Sequence, residues 1–125
     1  MKLSSIVCAD SIAYPQGLLD IEPLMIKYGV DFLIAGHEHS YESSWPTFYG
    51  NLYEKSFTNP KAPIHIVTGS GGPPGLDSLA DPMEYTRLRM HDYGYSKVIA
   101  HNYTHFEFSH YYNSNDTLFD HFVVE

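Results

Sequence analysis

Basic residues are scarce: seven lysines and arginines stand against fifteen acids in 125 residues, a net charge of −8 with histidine neutral. That balance argues against nucleic acid and against an anionic membrane as partners, because both are recognised through a basic footprint. A phosphorylated substrate would also be repelled at long range unless a bound cation inverts the field locally. Cys8 is the only cysteine, so an intrachain disulfide and a thiolate metal cluster are both ruled out, and it reads as an inert thiol. No apolar run approaches bilayer-spanning length. The opening "MKLSSIVCADS" breaks its short apolar patch with two serines and Asp10, so it gives no secretory signal peptide.

What is present is the composition of one globular domain, 43% hydrophobic and 18% charged, long enough to bury a core. Aromatics reach 15%, with eleven tyrosines, which leans the chain towards β structure. Residues 1–17 show no period and read as a loosely held stretch. "DIEPLMIKYG" reads as a short helix: Asp20 caps it, Pro23 falls in its first turn, Gly29 stops it, and Ile21, Leu24, Met25 and Tyr28 share its apolar face. "VDFLIAG" is a continuous apolar run of strand length, which fits a strand buried on both sides. Residues 36–61 read as a long polar and aromatic loop. Ile64–Thr68 is a second buried strand ending in glycines, followed by an irregular segment with a helical turn around Glu84–Arg89. The last third alternates in three runs, "YGYSKVIAHN", "YTHFEFSH" and "TLFDHFVVE", which is an antiparallel meander. The expected class is α/β (α+β) in one domain, or one piece of a domain.

Eight histidines are the only ligands present in number. His101, His105, His110 and His121 lie in or beside the meander, where alternation puts them on solvent faces or strand ends. His65 should point away from Ile64 and Ile66 as a structural histidine, and His91 could pair with Asp92. His37 and His39 differ because of their place. The apolar run delivers them to the carboxyl end of a buried strand, where ligands gather in α/β sheets, and Gly36 removes side-chain bulk before them. Imidazole suits zinc, iron and other borderline metals, and two rings two positions apart can bind one ion or serve two. Glu38 between them is read as solvated or as a neighbour of the ligands. "TGSGGPPG" is not a phosphate loop: it lacks the Gly-Lys-Ser/Thr ending, and Pro73-Pro74 forbids an immediate helix. It can still wall a site. No nucleophile elbow supports a serine triad. Asn102-Tyr-Thr and Asn115-Asp-Thr are glycosylation sequons.

Taken together, "YGVDFLIAGHEHSYESSWP", "NPKAPIHIVTGSGG", "DYGYSKVIAHNYTHFEFSH" and the closing "DHFVVE" resemble the C-terminal part of purple acid phosphatases, nearest to the animal type-7, iron/zinc-like branch. The resemblance runs in order from Leu18 to Glu125, so 18–125 is expected to be the C-terminal portion of a catalytic domain. It implies a metallophosphoesterase β-sandwich flanked by helices, and hydrolysis of phosphate monoesters at an iron plus divalent-metal centre. By that likeness Gly36–His39 is the Gly-His-x-His motif, with His37 on the divalent ion (zinc, iron or manganese) and His39 on the ferric ion. Tyr41 and Glu42 match the motif's continuation, whereas Ser43 stands where an arginine is usual. The family's upstream aspartates, tyrosine, Gly-Asn-His-Glu run and further histidine do not occur in these 125 residues. The expectation is therefore half of a metal site, inactive alone and at most a weak binder of a single metal ion. Met1 would then mark a truncated gene model, an alternative product or a degenerate relative. A non-catalytic paralogue acting as a binding module is the alternative. The resemblance further implies a secreted glycoprotein, and a sheet left bare would invite self-association.

Overall fold

The computed structural model describes residues 3–5 and 16–125, with side chains from Asp20 onward. Strand β1 (Leu3–Ser5) is followed by helix α1 (Gln16–Tyr28), β2 (Phe32–Ala35), β3 (Tyr41–Ser44) and the small hairpin β4 (Thr47–Phe48) and β5 (Asn51–Leu52). Then come β6 (Ile64–Thr68), β7 (Thr86–Met90), β8 (Gly94–Ala100), β9 (Phe106–Tyr112) and β10 (Leu118–Val124). Of the stretch 1–17, expected to be loosely held, Leu3–Ser5 pairs with β2 and residues 16 and 17 open α1; residues 1–2 and 6–15 lie outside the described residues.

α1 starts four residues before its expected cap, so Pro23 lies inside the helix rather than in its first turn. Proline there removes one amide donor, and packing against the sheet outweighs that loss. The C-terminus is a Schellman motif: Gly29 has φ 60, Val30 N–H reaches the Met25 carbonyl at 2.8 Å, and Gly29 N–H reaches that of Ile26 at 3.2 Å. The buried face differs from the expected one. Met25 packs with Leu33, Ile21 and Val30, while Leu24 and Tyr28 are exposed and Glu22 is fully buried. Glu22 turns inward because it has polar partners there: the Tyr49 amide donates to it at 2.7 Å, and His65 Nε2 lies 3.2 Å away. His65 thus points away from Ile64 and Ile66 and towards the helix, as period-two alternation requires. Among the described residues, no helix is long and apolar enough to cross a membrane.

Two sheets face each other. The larger has the order β1-β2-β6-β3-β7, with β1, β2 and β6 parallel and β3 antiparallel to both neighbours. The smaller is the expected meander, β10-β9-β8. Phe32, Tyr41, Ile64, Ile66 and Met90 meet Phe106, Phe108, Phe122 and Val124 between them, with Phe32 and Phe106 ring centroids 4.3 Å apart. Each such buried side chain contributes roughly 1.5–3 kcal/mol, so this interface is the main core. Helix, mixed sheet and meander form three layers, the expected sandwich flanked by helix.

Several strands lie where the sequence suggested none. β3, "YESS", and the β4–β5 hairpin sit inside the supposed 36–61 loop, and β7, "TRLRM", replaces the supposed helical turn at 84–89. Of these, β3 and β7 join the larger sheet. Their polar side chains are paired, which polarity alone cannot reveal. Asp120 of β10, fully buried, accepts from Tyr41 Oη (2.7 Å), Ser43 Oγ (2.8 Å) and Arg87 Nη1. Burial first, and the Asp120 carboxylate second, hold the Tyr41 hydroxyl far above the ordinary tyrosine range, so it remains a donor. His110 also departs from expectation. It is fully buried rather than solvent-facing, stacks on Tyr41 at 3.8 Å, and bonds through Nδ1 to Ser96 Oγ at 2.8 Å. His101 and His121 do stay on the surface, both against Glu107. Asp92 accepts from the Tyr93 amide at 2.7 Å.

Removing the Asp120 carboxylate would leave a buried hydroxyl pair and a guanidinium without their acceptor. Asp120→Ala should cost about 3–5 kcal/mol in urea unfolding, against about 1 kcal/mol for Tyr41→Phe; equal costs would show that the carboxylate is not the hub. Burial pushes His110 down to about 4, with Asp120 pulling the other way. The unfolded chain, titrating near 6.5, then takes up the proton first. Stability should be intact above about pH 6.5 and decline by about 3 kcal/mol as pH falls towards 4. His110→Phe should flatten that decline, and an unchanged acid profile would contradict it.

Candidate functional site

Parallel pairing sets the site's position. Ala35 of β2 is level with Val67 of β6, so the chain leaves both strands at one edge, carrying Gly36–Ser40 from the first and Gly69–Gly72 from the second. The two loops touch: Gly69 N–H donates to the Ser40 carbonyl at 3.1 Å. A Cβ on Gly69 would overlap the Glu38 carbonyl oxygen. The glycine stretch after Thr68 therefore walls the histidine loop, and Gly69 is the position where only glycine fits. Gly36 has no such role. A Cβ there would meet nothing within 4 Å, and the left-handed residue is its neighbour His37, at φ 80. The close approach is made between two loops rather than within one, which local sequence could not disclose. A non-glycine residue in that region stores about 1–3 kcal/mol of strain, a feature concentrated at functional sites.

His37 is exposed and His39 partly so. His39 has a partner the sequence did not suggest. Its N–H donates to Asp77 Oδ2 at 2.7 Å, its carbonyl accepts the Asp77 amide at 3.2 Å, and its Nδ1 lies 3.9 Å from the same carboxylate oxygen. Nothing in a 38-residue separation announces that contact. The motif's continuation runs the other way, into structure. Tyr41 belongs to the Asp120 cluster, and Glu42 accepts from Thr86 Oγ1 at 2.7 Å and lies 3.5 Å from Arg89 Nε. Burial raises the Glu42 carboxyl above its ordinary value, with Thr86 and Arg89 opposing. Ser43, in the place of the usual arginine, still meets a guanidinium: Arg87 Nη1 reaches its Oγ at 3.4 Å from β7. Glu38 is half-buried and lines a cavity of about 100 Å³ with Ser40, Glu42, Asp81 and Arg89.

As metal donors His37 and His39 fit: both rings are open to solvent, and borderline ions accept imidazole. They are two donors where an ion takes about four. Among the described residues, no three His, Cys, Asp or Glu side chains converge on one point as a metal cage. Both sequons lie on exposed turns. Asn102 Oδ1 accepts from the Thr104 amide (2.8 Å), the Thr104 hydroxyl (2.9 Å) and the His105 amide (2.9 Å), and Asn115 Oδ1 from the Thr117 amide at 3.0 Å.

Residues 62–121 match the family described as iron/zinc purple acid phosphatase-like protein C. Mouse acid phosphatase type 7 is 41% identical over 95 residues, 70% of this chain and 22% of the mouse protein. An Arabidopsis thaliana protein named "Probable inactive purple acid phosphatase 1" is 34% identical over 119 residues, 91% of this chain and 19% of that protein. A purple acid phosphatase from yellow lupin seeds superposes on 89% of this chain and 20% of its own, with a TM-score of 0.82 and 28% identity. The chain spans about a fifth of the length of these relatives. Sequence and fold agree on one assignment: the chain belongs to the purple acid phosphatase family and corresponds to its C-terminal part.

Proposed function

We propose that this chain supplies the His37–His39 half of a metal centre that hydrolyses phosphate monoesters. The observation that carries the reading is a Gly-His-x-His loop, strained at His37 and open to solvent, at the carboxyl edge of two parallel strands in a purple acid phosphatase fold. His37 and His39 would each offer a neutral imidazole, His37 to a divalent ion and His39 to a ferric ion. Bound iron and zinc would supply Lewis-acid polarisation of the phosphoryl group. The chain's own net charge of −8 accords with such a cation, since at long range it repels a phosphate dianion. The Gly69 turn keeps the histidine loop in place from below. The remaining donors would come from outside residues 1–125. The exposed sequons at Asn102 and Asn115 accord with a secreted glycoprotein.

A second reading, a binding module without catalysis, is favoured by one observation: a relative 34% identical to the chain carries "inactive" in its name. Both readings predict that residues 1–125, supplied with iron and zinc, hydrolyse an aryl phosphate only at background. Metal-dependent turnover abolished by His37→Ala would overturn the half-site assignment. Calorimetric titration tests the metal role on which the half-site reading depends. The half-site reading expects weak zinc binding that disappears in the His37→Ala/His39→Ala double variant, and binding unaffected by that change would remove the metal role.

Gly69→Ala tests the wall. Its Cβ would meet backbone rather than a flexible side chain, so the His37–Ser40 loop must shift. Zinc affinity should fall by about 10-fold or more, as when the support of a ligand is lost. Wild-type affinity in a folded Gly69→Ala chain would show that the two loops are independent.

A further inference from the structure

Gly69, the residue that fits against the histidine loop, is held from both sides by one imidazole. On its N-terminal side Thr68 Oγ1 lies 2.7 Å from Ser96 Oγ, which bonds to His110 Nδ1 at 2.8 Å. On its C-terminal side the Ser70 carbonyl accepts the Gly94 N–H at 3.1 Å, and a Cβ on Gly94 would overlap His110 Nε2. One anchor is a hydrogen-bonded chain, the other is close packing, and both end on the same ring. Gly69 itself donates to the Ser40 carbonyl at 3.1 Å, a direct bond between the two loops.

His110 is fully buried, and its Nε2 has no hydrogen-bond partner among the described residues. A neutral imidazole carries one N–H, whereas an imidazolium carries two, each needing an acceptor. Ser96 can serve Nδ1, but Gly94 lies against Nε2 and offers a second proton nothing. Few charged or titratable groups face the ring. Tyr41 of β3 stacks on it at 3.8 Å, Asp120 of β10 is its cross-strand partner, and Arg87 of β7 is bonded to Asp120. From β8 the cross-strand partner is the uncharged Ser96. Burial outweighs the attraction of Asp120 and holds the ring at about 4. A ring released to water binds its proton near about 6.5, so acid favours any arrangement that frees it.

We propose that His110 is the positioning residue of the Gly69 turn, and that its protonation in acid releases this turn from the histidine loop before the fold as a whole opens. The proposal rests on the half-site reading for its bearing on metal. The turn is held above about pH 6.5 and let go progressively below it.

The test is amide hydrogen exchange on residues 1–125 without metal, corrected for the intrinsic pH dependence of exchange. Gly69 and Gly94 report the turn, while Phe108 and Ser109 of β9, the central meander strand, report the whole fold. Gly69 and Gly94 should be less protected than those two. Their protection should fall about 10-fold between about pH 7.5 and 5.5, and His110→Phe should abolish that fall. Should His110→Phe fail to fold, Ser96→Ala decides: Gly69 should lose the pH dependence while Phe108 keeps it. Wild-type protection at Gly69 that ignores pH overturns the proposal, because a loop fraying alone leaves the ring buried. Protection at Gly69 equal to that at Phe108 overturns it too, since the turn would then open only with the fold. Failure of the half-site reading shows separately, in zinc binding that the His37→Ala/His39→Ala double variant leaves unchanged.

Discussion

A buried carboxylate organises this molecule. Asp120 projects from β10 into the interface between the two sheets, beside Phe122 and Val124 of the same strand face. Leaving such a charge unpaired in the core costs several kcal/mol. Its acceptor capacity is met by Tyr41 and Ser43 of β3 and by Arg87 of β7. Those bonds connect the meander to the two antiparallel strands of the larger sheet. They also explain why β3 exists: its residues are polar, yet Ser43 and Ser44 are fully buried. Arg87 lies over the rings of Trp45, Phe57 and Phe122 at 5.2–5.6 Å, so its stem and charge are both in use.

From this cluster the constraint extends towards the histidine loop. Tyr41 follows His39 by two residues, and its ring is held on one side by His110. His110 bonds to Ser96, and Ser96 lies 2.7 Å from the Thr68 hydroxyl, the last residue of β6 before Gly69. The two ends of the candidate site, the start of β3 and the end of β6, are thus connected through the same buried polar chain. Gly94 keeps that chain compact, because any Cβ there would overlap His110 Nε2 and press on the Tyr111 carbonyl. A loop that carries strain at His37 needs a rigid base of this kind.

The acid–base character of the molecule follows from the same packing. Histidines on the meander surface share Glu107, whose carboxyl is held below its ordinary range chiefly by the hydrogen bond from His101. The buried one, His110, is kept neutral by desolvation. One residue type therefore plays opposite parts according to which side of a strand it occupies. Around the histidine loop Glu38, Glu42 and Asp77 add carboxylates to a chain already acidic, an environment suited to cations and unsuited to a bare phosphate.

Residue order alone determined a good deal here. The continuous apolar runs gave β2 and β6, period-two alternation gave the meander, and the Gly-His-x-His motif marked the position of the candidate site. Each of these signals is local: burial on both faces, alternation of faces and ligand spacing are written within a few residues. Tertiary structure decided whatever depends on a distant partner. β3 looks like a loop and β7 like a helical turn until Asp120 and their neighbours pair their polar side chains. His110 looks solvated until Tyr41 covers it. Gly69, rather than Gly36, is sterically required because another loop's carbonyl lies against it, and Asp77 meets His39 across 38 residues. Polarity reads as exposure in a sequence, and only the fold shows which polar groups have found partners inside.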